Sequence, residues 1–393
     1  MIILMRVVFL ISSMIRIVSC LPTPKPQRNL LIFGNGNVAQ SVIKHATKHT
    51  SSSSSSVSFM KTNNNEKDYD NSLSNFFHSI ICTYHTNPPS NKIRGVRYIP
   101  FETETIVNLL KNEPCITHVC MTIPPQMKQS SDNDASSLSF QDVVLDSSIR
   151  EALPAKLSLA FISTTGVYGN HDGGWVDECS ELKCKEGTKA HAYFNIENQW
   201  KKLMLKNDDE EIDRNVFIFR CSGLYGINFS ALHTVRKLGW DTNTKNEEGT
   251  KEGDEGRKEM SYTSRIHLDD VGRAIIACMM QTEMIHEDNS DENYIFNLSD
   301  NVPATRNQVM MFANNLLKES NISNSPHEAN DMNMRDAKLT SERGKRRNKD
   351  RKRVSNKKIR RILEPYGGLK FPSFREGLKD ILECKFIQWR EDI

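Results

Sequence analysis

Short, almost uninterrupted apolar runs recur along the chain at residues 30–33, 57–60, 80–83, 117–123, 157–163, 216–221 and 294–298. Their length suits strands, and their lack of alternation suits strands buried on both faces of a sheet. Helical patterns lie between several of them, notably at 195–205 and 271–281. Strands alternating with helices predict an α/β fold with a parallel, doubly wound sheet. Polar low-complexity stretches at 51–56, 63–75, 129–137, 241–259 and 320–348 carry neither period, and they read as solvated inserts in that frame.

Composition agrees with a globular chain that carries such inserts. The sequence has 393 residues and is 37% hydrophobic, which suffices for a buried core and excludes a wholly disordered, collagenous or coiled-coil protein. The net charge of +3 conceals an asymmetry. Residues 1–65 hold seven Lys/Arg and no acid, and residues 343–361 hold twelve Lys/Arg with Asp350 as their one acid. The remainder has 33 basic against 48 acidic residues, a balance that repels nucleic acid and acidic membranes.

Residues 1–28 read as a targeting segment. Arg6 and Arg16 interrupt its apolar stretch, which argues against a membrane helix. Arg and Ser without acid suit an organellar transit peptide, of plastid or mitochondrion; a signal or bipartite signal is the alternative. The nine cysteines form no CxxC and no metal-ligand spacing, so no metal is expected. Cys120, Cys221 and Cys278 sit in apolar runs, where buried free thiols are the commoner reading, and this favours a reducing compartment.

The sharpest motif is Gly34-Asn35-Gly36-Asn37-Val38-Ala39, directly after the first apolar run. Gly34 permits a tight turn, Gly36 lets backbone approach a pyrophosphate, and Ala39 stands where helix packs on strand. The helix start then offers unpaired N–H groups to phosphate. This is a Rossmann-type dinucleotide fingerprint in its strand–turn–helix context, against a plain structural glycine turn. If 57–60 is the second strand, it ends at Lys61 with no acid before Glu66. A lysine there suits a 2′-phosphate and so favours NADP over NAD, a solvated surface lysine being the alternative.

A second constellation is Ile162-Ser163-Thr164-Thr165-Gly166-Val167-Tyr168-Gly169, a strand ending in hydroxyls and glycine, followed by Tyr193 and Glu197. Further strings are Ile123-Pro124-Pro125, Trp175-Val176-Asp177-Glu178, Phe219-Arg220-Cys221-Ser222-Gly223-Leu224-Tyr225-Gly226, Arg265-Ile266-His267-Leu268-Asp269-Asp270, Phe296-Asn297-Leu298-Ser299-Asp300 and Arg353-Val354-Ser355-Asn356. In this order they resemble the atypical and extended short-chain dehydrogenase/reductases of the NAD-dependent epimerase/dehydratase superfamily, over most of the chain from residue 29 to 381.

That resemblance implies an NAD(P)-binding Rossmann domain at 29–225, with inserts at 44–75 and 127–138. It also implies a smaller substrate-binding lobe at 226–393, of which 262–300 returns to the Rossmann sheet. Gly34, Asn35, Gly36, Asn37 and Val38, with Lys61, Ile123, Pro124 and Pro125, would face the cofactor. Thr164 matches the hydroxyl that holds the substrate oxygen, and Tyr193 the general acid or base. Glu197 replaces the family's lysine four residues on, where both side chains share one helix face and a carboxylate disfavours a phenolate; it could still accept hydrogen bonds from ribose hydroxyls. Thr165, Arg265 and His267 would meet substrate, while Asp269 or Asp270 would cap a helix start.

The implied activity is an oxidoreductase, or an epimerase/dehydratase-like enzyme, on a small polar substrate. A catalytically silent NAD(P)-binding sensor or scaffold is the rival reading, and an organellar RNA-binding relative using residues 344–361 is a third. No integral membrane association and no nucleic-acid partner are expected, and a homodimer is one option for assembly.

Overall fold

The core of the molecule is a seven-stranded sheet whose strands pair in parallel throughout, in the order β11-β7-β5-β4-β1-β2-β3. In chain order these are β1 (Asn29–Phe33), β2 (Ser79–Tyr84), β3 (Val96–Pro100), β4 (Ile116–Met121), β5 (Lys156–Thr164), β7 (Asp213–Cys221) and β11 (Ile295–Leu298). The computed structural model describes residues 27–47, 76–113, 116–125, 147–203, 213–227, 229–238, 262–281, 294–320 and 351–391. Residues 57–60 and Lys61 lie outside these. The position beside β1 expected for that run belongs to β2, which pairs Ile32 with Cys82. β1 has β4 on its other side, so no place next to it remains.

Successive strand residues point to opposite faces, and both faces are covered. Leu30, Ile32, Ala160, Phe217, Phe219 and Phe296 pack beneath α1 (Asn37–Ala46), α6 (Leu268–Met280) and α8 (Lys357–Leu363). Leu31, Phe33, Val119, Phe161, Val216 and Ile218 pack on the other side, against α2 (Thr103–Asn112), α3 (Ser147–Ala152) and α4 (Lys189–Lys202). Burial on both sides is why these strands read as continuous apolar strings.

Two helices begin earlier than apolar periodicity indicates. α4 starts at Lys189, not 195, because the Thr188 hydroxyl accepts from the His191 N–H and caps it. α6 starts at Leu268, where the cap is His267, whose Nδ1 accepts from the Asp269 N–H. Neither aspartate caps the helix. Asp270 accepts from the Lys370 and Phe371 N–H groups at 2.7 and 2.9 Å, and Asp269 pairs with Lys44 and His45 of α1 at 2.5 and 3.0 Å. Both therefore clip separate segments together. At Gly272 the two helices touch, and an added Cβ would lie 2.4–2.5 Å from the Ser41 hydroxyl and carbonyl.

A smaller cluster joins Tyr225 to α5 (Ala231–Leu238), α7 (Arg306–Glu319) and the start of α9 (Phe374–Glu391). Short ribbons link it to the sheet: β8 (Gly223–Tyr225) with β10 (Arg265–His267), and β9 (Tyr262–Thr263) with β12 (Ala304–Thr305). A third ribbon pairs β6 (Trp175–Val176) with β13 (Arg353–Val354). The edge strand β11 is shielded, because Glu178 accepts from the Asn297 N–H at 2.8 Å and Lys358 donates to the Ile295 carbonyl at 2.8 Å. Among the described residues no helix is long and apolar enough to cross a membrane.

Candidate active site

Parallel register brings the carboxyl ends of β1, β4, β5 and β7 to one edge: Phe33 pairs with Met121, Met121 with Phe161, and Thr164 with Cys221. Strand order reverses between β1 and β4, and ligands of open α/β sheets bind in the crevice at such a switch point. The turn from β1 to α1 lies in that crevice.

Gly34 has φ +97°, and an added Cβ would meet Ile123 Cγ1 and Thr122 Oγ1 at 2.8 Å, so both backbone and space demand glycine. Two hydroxyls bracket the turn. Thr83 Oγ1 accepts from the Gly34 N–H at 2.9 Å, and Thr122 Oγ1 donates to the Phe33 carbonyl at 2.8 Å. Gly36 has ordinary backbone angles, no atom within 4 Å of where a Cβ would stand, and serves as the N-cap of α1 without any side-chain cap bond. No side chain therefore caps the positive end of α1. Asn37 is exposed and Val38 half-buried; Asn35 turns its side chain back to accept from Gln40. Across the crevice Ile123 is half-buried, Pro124 exposed and Pro125 buried. These residues surround the start of α1 at the switch point. Lys61 lies outside the described residues, and β2 ends at Tyr84 and is followed by His85-Thr86, without a carboxylate.

At the end of β5, the Thr164 hydroxyl accepts from the Gly166 N–H at 3.1 Å and remains partly exposed, whereas Thr165 is buried. Tyr193 leans on Phe161, with ring centroids 6.2 Å apart. Burial, with a smaller contribution from Cys221, pushes its hydroxyl up to about 12. The neighbouring carboxylate anticipated as the perturbing group is not the cause, because Glu197 is turned away.

Glu197 is 1% exposed and locked into a network. Its Oε1 accepts from Ser163, and Arg220 of β7 embraces the carboxylate, with Nη2 to Oε2 at 2.7 Å and Nε at 3.2 and 3.3 Å from the two oxygens. Arg220 also donates to Tyr168 at 3.0 Å, and Tyr168 donates to Asn297 at 2.8 Å. Both carboxylate oxygens are thus engaged by the protein, which corrects the expectation that Glu197 would accept from ribose hydroxyls. Arg220 was not foreseen as its partner. The signal was a charged residue inside the apolar run 216–221, since a charge buried there needs a countercharge.

Arg265 and His267 also have other work. Arg265 is half-buried, and its Nη1 donates to the carbonyls of Thr263 and Ala304 at 2.7 and 2.9 Å, tying the β9–β12 ribbon. Only that guanidinium nitrogen is so held among the described contacts. His267 lies between Tyr225 and Phe371, with centroids at 5.1 and 4.2 Å, and burial lowers its pKa to about 4. Because Nδ1 accepts the cap bond, the neutral ring carries its proton on Nε2, which is buried without a partner. Asp300, whose N–H donates to the Arg265 carbonyl at 2.6 Å, is raised by burial to about 7, and its Oδ2 is likewise unpartnered. Thr164 and Thr165 thus stand at the end of β5 and Tyr193 packs on Phe161 of the same strand, while Glu197, Arg265 and His267 make bonds that hold elements together.

The thiols of Cys120, Cys221 and Cys278 are buried and unpaired. Among the described residues, no group of three or more His, Cys, Asp or Glu could hold a metal ion. Of the basic tract at 344–361, the described part is anchored: Lys352 donates to the Gly169 carbonyl and Arg353 to that of Gly173, at 2.9 and 2.8 Å.

No family model and no curated protein matches the chain. Solved structures do. A conserved protein of unknown function from Silicibacter pomeroyi is 19% identical, with TM-score 0.52 over 91% of this chain and 98% of that one. The dTDP-glucose 4,6-dehydratase of Bacillus anthracis, solved in complex with NAD, is 12% identical, with TM-score 0.52 over 93% and 97%. The epimerase Mth375 of Methanothermobacter thermautotrophicus is 12% identical, with TM-score 0.51 over 93% and 95%. At these identities the likeness is one of fold: the chain is built on the Rossmann-type architecture of the NAD-dependent epimerases and dehydratases.

Proposed function

We propose that the chain binds a nicotinamide dinucleotide across the β1–α1 turn and acts as an oxidoreductase, or an epimerase/dehydratase-like enzyme, on a small polar substrate. The observation that carries this is the cradle: Gly34 admits no side chain, Gly36 opens on empty space, and α1 begins without a cap. Those features fit a diphosphate held by main chain. Asn37 and Val38 would present the N–H groups, and Ile123 and Pro124 would flank the strand-four side. Bound there, the nicotinamide supplies hydride chemistry.

Thr164 can donate to a substrate oxygen while still accepting from Gly166. Tyr193 stays protonated at neutral pH, so it can deliver a proton to an oxygen but is a poor base. The missing carboxylate at Tyr84-His85-Thr86 supports NADP over NAD, since nothing acidic there would repel a 2′-phosphate. Gly36→Val tests the reading. It should abolish NADPH fluorescence enhancement with only a small drop in melting temperature, because the backbone there suits any residue although valine caps a helix less well than glycine; undiminished binding would refute it.

The Glu197–Arg220 lock favours a second reading, a binding protein without turnover. Tyr193→Phe separates the two, because only an enzyme has NAD(P)-dependent turnover to lose.

A further inference from the structure

Asp300 stands at the end of β11, where several parts of the chain meet. Its N–H donates to the Arg265 carbonyl of β10 at 2.6 Å, and the next N–H, of Asn301, donates to the Pro372 carbonyl just before α9 at 2.9 Å. Asn301 Oδ1 also accepts from Asn356 Nδ2, ahead of α8, at 2.8 Å. The Asp300 carboxyl is 1% exposed; Oδ1 accepts from the Val302 N–H at 3.2 Å, and Oδ2 has no partner among the described residues. A carboxyl so placed costs less neutral than charged. The charged and titratable groups around it are Asp270 of α6, Glu376 of α9, Arg265 of β10 and Tyr225 of β8. Asp270 accepts from the N–H groups of Lys370 and Phe371 with its two oxygens, and Glu376 accepts from the Ser373 hydroxyl. Both carboxylates repel an ionised Asp300. Of the four groups Arg265 alone attracts it, and only Nη1 of that guanidinium is engaged among the described contacts, on the Thr263 and Ala304 carbonyls of the β9–β12 ribbon.

We propose that Asp300 is a proton-operated latch: neutral, it leaves Arg265 on the β9–β12 carbonyls; ionised by loss of its proton to solvent, it draws the guanidinium off them and loosens the ribbon. The ribbon leads directly into α7, whose N-cap is Thr305 of β12, so loosening it frees one end of the smaller cluster. The change falls near pH 7, where burial places the Asp300 carboxyl, while His267, held at about 4, stays neutral throughout. The inference goes beyond the dinucleotide reading, and its test needs no ligand. Hydrogen exchange of the full chain, read by mass spectrometry and corrected for the intrinsic pH dependence of exchange, is compared at pH 6 and 8. The ionised fraction of Asp300 rises from about one tenth to about nine tenths over that range, so protection of the amides at 262–263 and 304–305 should fall about ninefold. Asp300→Asn keeps an acceptor for Val302 but cannot ionise, and its ribbon should stay protected at both. Glu376→Gln removes one repelling carboxylate and should carry the midpoint to lower pH. Equal protection at pH 6 and 8 in wild type, or a fall that survives in Asp300→Asn, would overturn the latch. Should Asp300→Asn not fold, a midpoint that Glu376→Gln leaves in place would overturn it.

Discussion

Exchanging Glu197 for lysine, the residue that the resemblance implies there, should not restore a proton relay; it should cripple the fold. The Glu197–Arg220 pair is 1% and 2% exposed, with Nη2 and Oε2 2.7 Å apart. Removing one member of such a pair leaves a buried charge uncompensated, at about 3–5 kcal/mol. Glu197→Lys adds a second cation against Arg220 and belongs at or above the upper end. For a chain of this size that corresponds to a fall in melting temperature of roughly 10 °C. Glu197→Gln keeps an acceptor for Ser163 and Arg220 and should fall by less. In the double variant Glu197→Gln/Arg220→Met the losses should not add, because the orphaned partner has gone as well, leaving a coupling above about 1 kcal/mol. Urea unfolding followed by circular dichroism measures wild type, Glu197→Lys, Glu197→Gln, Arg220→Met and the double variant. Glu197→Lys within about 1 kcal/mol of wild type, or an additive cycle, would refute the assignment of this pair as the bolt between α4 and β7.

Gly272→Ala drives a Cβ into Ser41 backbone and should destabilise by about 1–3 kcal/mol; thermal melting checks it. Asp300 gives a pH signature. Burial raises its folded-state pKa to about 7, above the ordinary carboxylate value, so native chains hold a proton that unfolded chains release. Stability should therefore fall as pH rises from about 4 to 7, and Asp300→Asn should flatten that fall when urea midpoints are compared at pH 5 and 8. Gly34→Ala should lose both stability and NADPH binding, in contrast to Gly36→Val, which should lose binding with little change in stability; melting and fluorescence titration together distinguish them.

Much of the architecture could be read from apolar runs alone, because strands buried on both faces leave an unbroken signature. The turn at Gly34–Gly36 was equally legible, since its glycines answer backbone angle and open space, both local matters. What the chain concealed were long-range pairings. Arg220 and Glu197 lie 23 residues apart, and Asp269 reaches Lys44 across 225 residues; no periodicity records either. The second strand was misplaced for a related reason: residues 57–60 match a strand in composition as well as 80–83 do, and only pairing with β1 chooses between them. Likewise, a hydroxyl such as Thr83 becomes part of the cradle only once β2 is laid beside β1.

The most direct measurement is a crystal structure of the full chain grown with NADPH. The diphosphate should lie at the start of α1, with its oxygens about 2.7–3.2 Å from the N–H groups of Asn37 and Val38. A dinucleotide anchored elsewhere on the sheet edge, or a side chain filling the space above Gly36, would contradict the claim on which the functional reading stands.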